Sequence, residues 1–464
     1  MYLFIHRKDL RTDDLRAFEA LHRRGGADIH LLVIDPAIAA PDRLQTHSGR
    51  TFLRAVTRLA ADYRQAGRTL HLLHGDPVEI TEALLLAMPI AGLVQQADFT
   101  PYAVQRDTAV EAICKKHDRG YKTYDDAPLI DLADFGQFAR RTEPYKVFTP
   151  FYKMWSGYMR QCYAPSGSIR IDDLATVDEL ESEIETRFRL PAWIDELLVD
   201  AAAQEADEPS PQEQLTDFIE GPIADYSRHR DDFAVDAGSG LARWINHGAL
   251  SPRRIYEAVA ELEEAHSWIR QLAWRDFYLM QARQNPDFFT YERQFDFREL
   301  SEHHYEAWIH AQTGIPIIDA AMTQLRETGE LPNRLRMVTA MFLTKNLRCP
   351  FTKGEQYFRR MLADYDHTLN RGGWLWSSSL GYDAAPYFRI MNPVTQSMTH
   401  NPSGSYIRKW LPELAHLPDK IIHQPRPEAI VDLKQTRAHA IEVYGRMLRG
   451  YEQESASPGT DEPV

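Results

Sequence analysis

The chain has 464 residues, 44% apolar and 26% charged, with a formal net charge of −14. That length suits two or three domains, no apolar run approaches the ~18 residues of a membrane span, and the acidic balance argues against broad non-specific attachment to nucleic acid. Three widely spaced cysteines, Cys114, Cys162 and Cys349, argue against a disulfide framework or a zinc site and favour a reducing cytoplasm. The opening MYLFIHRKDLR turns charged after five residues, so it reads as domain rather than secretory signal.

In chain order, YLFIH and the apolar runs at 29–34, 69–73 and 91–95 alternate with helical patterns such as 49–65. Strands alternating with helices predict βαβ units and a parallel sheet, hence an α/β domain over 1–130. No GxGxxG follows the first strand. Residues 131–214 lose this periodicity, become acidic and carry Pro191, Pro209 and Pro211, which predicts a partly helical interdomain linker. From 215 to 447 helical patterns dominate, predicting an all-α domain. SPRRIYEAVAELEEA offers Ser251 as N-cap and Pro252 at the first helical position, and LRMVTAMFLTKNL is apolar on most faces, as a buried helix is. The acid is concentrated between 172 and 220, whereas Arg334, Arg336, Arg348, Arg359 and Arg360 make 326–360 basic. The last stretch, 448–464, predicts a disordered tail.

The helical region is crowded with indoles: Trp244, Trp268, Trp274, Trp308, Trp374, Trp376 and Trp410. An isolated one is ordinarily core, but Trp374 and Trp376 stand two apart and cannot share a helix face. Redox relays and base-stacking platforms both place indoles this way. Gly238-Ser239-Gly240 before a helix is either a flexible lead-in or a backbone cradle for phosphate. Asp364, Asp366 and Asn370 precede Gly372-Gly373 without calcium-loop spacing; they are a solvated turn or hydrogen-bonding groups for a ribityl chain, a ribose or a flavin edge. His303, His304 and His400 lack partners at ligand spacing, and Ser377 to Ser379 have no GxSxG elbow. The residues alone argue against hydrolytic chemistry and lead to a large cofactor in an aromatic helical cavity.

Several motifs in order resemble the photolyase/cryptochrome flavoproteins, most closely the class I-like cyclobutane pyrimidine dimer photolyases: HRKDLRTDDLRAF, HGDP at 74–77, DFTPYAVQRD at 98–107, PYKVFTPFYKMW at 144–155, GLARWINHGALSPR, QLAWRDFY, TGIPIIDAAMTQLRETGELPNRLRMVTAMFLTK and GGWLWSSSLGYDAAPYFRIMNPVTQS. The resemblance implies FAD in the helical domain and room for an antenna chromophore in the α/β domain. Carried over, Tyr226, Gly238, Ser239, Gly240, Leu241 and Ala242 meet the FAD phosphates, Arg275, Asp364 and Asp366 the flavin and its sugar chain, and Asn370 the flavin N5 edge. Gly372 and Gly373 let backbone approach the ring. Trp374 stands next to the flavin as electron donor. Trp274 and Trp376 line the lesion cavity, and Arg230, Arg275, Arg334 and Arg389 approach the damaged strand, each with an internal ion pair as the plain alternative. Asn333 and Met337 match the cyclobutane-dimer pattern, where (6-4) photolyases carry histidines. The implied activity is light-driven repair of pyrimidine dimers in DNA by a monomer, with a cryptochrome-type light receptor as the alternative.

The chain departs from the pattern at Gln271, where a glutamate usually meets the dimer carbonyls; an amide bonds those carbonyls but supplies no acidic proton. GSGLA replaces TSxLS, and Pro332 replaces a histidine. Phe351 and Phe297 occupy the two outer positions of the usual tryptophan chain, so another route through Trp308, Tyr357 or Tyr382, or inefficient photoreduction, is expected. Gln105 stands at a folate-contacting glutamate, which weakens the case for methenyltetrahydrofolate and leaves a deazaflavin, FMN or no antenna open.

Overall fold

The computed structural model describes residues 1–205 and 208–456. Five short strands, β1 (Tyr2–His6), β2 (Ala27–Ile34), β3 (His71–His74), β4 (Gly92–Gln96) and β5 (Gly120–Tyr124), form a parallel sheet in the order β3-β2-β1-β4-β5. The register sets Leu3 beside Ile29 on one side and Leu93 on the other. Alternate side chains of a strand face opposite ways, so Leu3 and Ile5 join one core with Ile80, Leu84 and Val110, while Phe4 joins the other with Phe18, Val56 and Leu59. Helices on both faces explain why β1, β2 and β4 read as continuous apolar runs. The expected strand at 69–73 begins later, at His71, because the Thr69 amide donates to the Thr176 hydroxyl at 2.8 Å instead of joining the ladder.

The segment expected as a linker feeds both cores: Ile171, Leu174, Ile194 and Ala201 pack on one face and Leu180, Ile184 and Phe188 on the other. A further strand, β6 (Ala175–Thr176), pairs with the start of β2. The HGDP motif is a helix start, with Asp76 accepting from the amides of Val78 and Glu79 and Pro77 in the first turn. Ser251 caps the helix Pro252–Val259 as expected, accepting from the amides of Arg253 and Arg254.

By contact density the chain divides into two compact units: 1–227 with 238–284 and 363–366, and 228–237 with 285–362 and 367 onward. The helical region is therefore shared between units. In the second, Pro316–Thr328 ends at Gly329, and Asn333–Met341 runs into a π-helical turn, Phe342–Asn346, whose five residues are all buried. The helix Leu433–Ala456 continues past 448, where a disordered tail was expected. Glu, Gln and Ala there are good helix formers that propagate a helix already nucleated upstream. The rest of that tail, 457–464, lies outside the described residues.

Candidate functional site

The helix His266–Gln284 carries Gln271, Trp274 and Arg275. Spacing of three and four places them on one face. Asp276, one residue on, fixes this helix from its buried side: its carboxylate accepts from the Leu129 amide at 2.9 Å, the Ile130 amide at 3.2 Å and the Trp155 indole at 2.9 Å. Burial pushes the Asp276 carboxyl up to about 6 against these donors. Arg275 donates from Nη1 to the Ala127 carbonyl, and its buried Nε has no partner among the described residues. Gln271 donates from Nε2 to the Ser267 carbonyl at 3.0 Å, leaving Oε1 as its free acceptor. Trp274 stacks on Phe148 with ring centres 3.6 Å apart and planes within 5°, so protein covers one indole face.

The loop 238–242 leads into the helix Ala242–His247. Gln214 pins it, donating to the Ser239 carbonyl at 3.0 Å and accepting from the Trp244 indole at 2.7 Å. Tyr226 is half-buried, edge-on to Phe218. Asp364 and Asp366 also belong to this unit. The Asp364 carbonyl accepts from Asn246 at 2.6 Å, and the Asp366 carboxylate is ion-paired with Lys8 at 2.9 Å. Burial of Lys8 is outweighed by Asp366 and Asp98, which hold its ammonium above the usual range. Nearby, burial and then Lys8 push His247 down to about 4, and its Nε2 lacks a partner among the described residues.

A second cluster sits at the carboxyl ends of β1 and β4. The sheet order makes this gap the switch point where doubly wound sheets take ligands. Arg7 donates to Gln95 at 3.1 Å and Gln95 to the Tyr121 hydroxyl at 2.9 Å. Arg7 Nη2, Arg106 Nη2 and both amide atoms of Gln96 are buried without partners among the described residues. Gln105, the folate-position residue, faces outward.

In the second unit the helix His367–Ser378 carries Asn370, Trp374 and Trp376. Gly372 and Gly373 are thus helical, and a Cβ at Gly373 would meet no atom within 4 Å. Positions 374 and 376 lie about 200° apart around a helix, and the indoles separate accordingly: Trp374 is buried and Trp376 half-buried. Trp374 packs edge-on against Phe358 at 5.0 Å and Trp308 at 6.3 Å. Gly354 makes room for it, since a Cβ there would fall 2.1 Å from Trp374 Cη2. Asn370 donates from Nδ2 to the Glu355 carbonyl at 3.1 Å, which fixes the direction of its amide. Arg371 holds Glu355 at 2.9 Å, Glu292, and the Phe288 carbonyl at 3.2 Å. Lys345, fully buried, donates to the Ser378 carbonyl at 2.8 Å at the helix's end. Asn333 and Met337 touch at 3.6 Å and stay accessible. Arg334 pairs with Asp231 at 2.6 Å and reaches Gln396 at 3.3 Å, so the ion-pair alternative is realised there. Arg230 is half-buried and Arg389 exposed beside exposed Phe388. Phe297 and Phe351 lie 6.2 Å apart.

Gln214 and Lys8 were invisible in the sequence as site residues, because each acts on a segment distant in the chain. Asp276 alone left a trace, as a carboxylate inside an apolar helix pattern.

Two family models match the chain: DNA photolyase over residues 2–167 and the FAD binding domain of DNA photolyase over 268–455. A deoxyribodipyrimidine photo-lyase from Alkalihalophilus pseudofirmus is 34% identical, covering 90% of this chain and 88% of its own. The crystal structure of a class III photolyase from Agrobacterium tumefaciens is 26% identical at a TM-score of 0.81, over 97% of this chain and 98% of that one. A cryptochrome from Synechocystis sp. shares the fold at a TM-score of 0.81 with 24% identity, over 96% and 99%. With full-length similarity, both family models and a parallel sheet preceding a helical region, the chain belongs to the DNA photolyase family.

Proposed function

We propose that the chain is a light-driven cyclobutane pyrimidine dimer photolyase, acting on DNA as a cytoplasmic monomer. The observation that carries this reading is the division among the tryptophans: Trp244, Trp268, Trp308 and Trp374 are buried, whereas the two assigned to the lesion, Trp274 and Trp376, keep accessible surface together with Trp410. The residues fit FAD: the unpartnered Nε of Arg275 awaits an acceptor, and the anchored amide of Asn370 offers Oδ1 as an acceptor for an N–H. Reduced FAD, when bound, supplies after absorbing blue light the electron that splits the cyclobutane ring and takes it back.

The chain's own residues bind and orient. The backbone of 238–242, held by Gln214, meets phosphate with Tyr226. Arg275, Asp364 and Asp366 position the flavin and its sugar chain, with Lys8 paired to the Asp366 carboxylate. Trp274 and Trp376 offer flat apolar faces to an extruded dimer, which has lost its stacking. Gln271 bonds the dimer carbonyls, Asn333 and Met337 meet the dimer, and Arg230, Arg334 and Arg389 meet phosphates. No side chain needs to act as nucleophile, acid or base. The partnerless Nη2 atoms of Arg7 and Arg106 and the Gln96 amide, at the carboxyl ends of β1 and β4, suit a second, antenna chromophore of planar hydrogen-bonding type, a deazaflavin or FMN rather than methenyltetrahydrofolate.

A cryptochrome-type receptor is the second reading, favoured by Gln271 and by the Phe297–Phe351 pair at the outer donor positions. Illumination of a thymine-dimer oligonucleotide with chemically reduced protein tests the choice. Dimer loss in light and none in darkness is expected; binding of FAD without dimer loss would leave the receptor reading.

A further inference from the structure

Trp374 is buried, so an electron that it gives away must be replaced through other side chains. Phe351 and Phe297 cannot do this at ordinary potentials, because benzene rings resist oxidation far more than indoles or phenols. The Arg371 guanidinium lies 5.0 Å over the Phe351 ring and disfavours positive charge there still further. A different line of oxidisable rings leaves Trp374. Trp308, fully buried, contacts Trp374 at 6.3 Å between ring centres, and Tyr357 contacts Trp308 at 5.6 Å. Tyr357 is half-buried, and its hydroxyl donates to the Ile309 carbonyl at 3.2 Å.

We propose that Trp308 and Tyr357 form the electron relay that refills Trp374, in place of the phenylalanine positions. The proposal rests on the FAD reading above. Trp374 gives one electron to photoexcited oxidised flavin, and Trp308 gives one to Trp374. The Trp308 indole N–H is buried with no acceptor among the described residues, so an oxidised Trp308 keeps its proton and draws an electron from Tyr357. Tyr357 releases its phenolic proton to water, since a backbone carbonyl is no base. A thiol in solution returns an electron and a proton to the tyrosyl radical.

The test uses the FAD-loaded protein, anaerobic, with a thiol, under blue light, following flavin absorbance and the tyrosyl radical by electron paramagnetic resonance. Trp308→Phe should slow flavin photoreduction by about tenfold or more, and Trp308→Tyr should recover part of the rate. Tyr357→Phe should remove the tyrosyl signal, whereas Phe351→Leu should leave rate and signal unchanged. Wild-type photoreduction in Trp308→Phe, or equal slowing in Phe351→Leu, would overturn the relay. Repair by dithionite-reduced protein separates the two claims: failure of the relay leaves it intact, and its absence in the wild type strikes the photolyase reading instead.

Discussion

Each unit buries an arginine between two carboxylates, and the two differ in how dry they are. In the first, Arg253 joins Asp14 and Asp126, with no side chain more than 4% exposed. In the second, Arg371 joins Glu355 and Glu292, which keep 14% and 24%. Burial raises the Asp14 carboxyl, but Arg253 more than compensates and holds it below the usual range; at Glu355 burial wins and the carboxyl is raised. The first clamp joins DLRTDD to SPRR, so those motif residues are structural. The second sits on the helix that carries Asn370 and Trp374.

The sharpest way to break this comparison is to remove the guanidinium from each clamp. Arg253→Met should cost about 3–5 kcal/mol, the scale of an orphaned buried charge, and Arg371→Met clearly less, read by urea unfolding. Equal costs would erase the distinction. Two glycines come next. Gly248 has φ +74°, and a Cβ would lie 2.0 Å from the Lys8 carbonyl oxygen, whereas the Cβ at Gly354 meets mainly the Trp374 side chain. Backbone cannot step aside, so Gly248→Ala should cost about 3 kcal/mol and Gly354→Ala about 1–2. Near-UV circular dichroism should register the displaced indole only in the second.

The units also differ in pH response. His247, neutral in the fold with its pKa lowered to about 4, makes the unfolded state bind the extra proton, so stability is lost as pH falls from about 6.5 toward 4. Relative to His247→Gln, the wild type should lose on the order of 2 kcal/mol across that window. Burial lowers Lys345 well below the usual lysine range, so its stabilisation rises with pH up to about 10.4. Lys345→Met should flatten that rise toward about pH 10.4. The smallest effect is at Gln271, where Gln271→Glu should raise the dimer-splitting yield by about two- to threefold through a better proton-bearing partner; an unchanged yield would count against its role.

What the sequence made legible was local. The runs of β1, β2 and β4 declared themselves because both faces are covered, and Ser251-Pro252 announced its helix through capping chemistry. The indole pair at 374 and 376 predicted two environments from helix geometry alone. Long-range partners did not show: Gln214 reaches Ser239, Lys8 reaches Asp366, and Asp276 reaches 129–130, each by a bond that only the fold brings within range. Residues 131–214 read as a linker because their periodicity is broken by acidic runs and prolines, yet Ile171 to Ala201 supply apolar side chains to both cores of the sheet. Asn370 was assignable by resemblance, but the direction of its amide depends on a carbonyl fifteen positions earlier, at Glu355.

The most direct test is a count of repaired thymines after a light pulse delivered to dithionite-reduced protein bound to a dimer-containing oligonucleotide. Restored thymine in step with absorbed light, and none in darkness, is the predicted result. Intact dimers after illumination of FAD-loaded, DNA-bound protein would contradict the account.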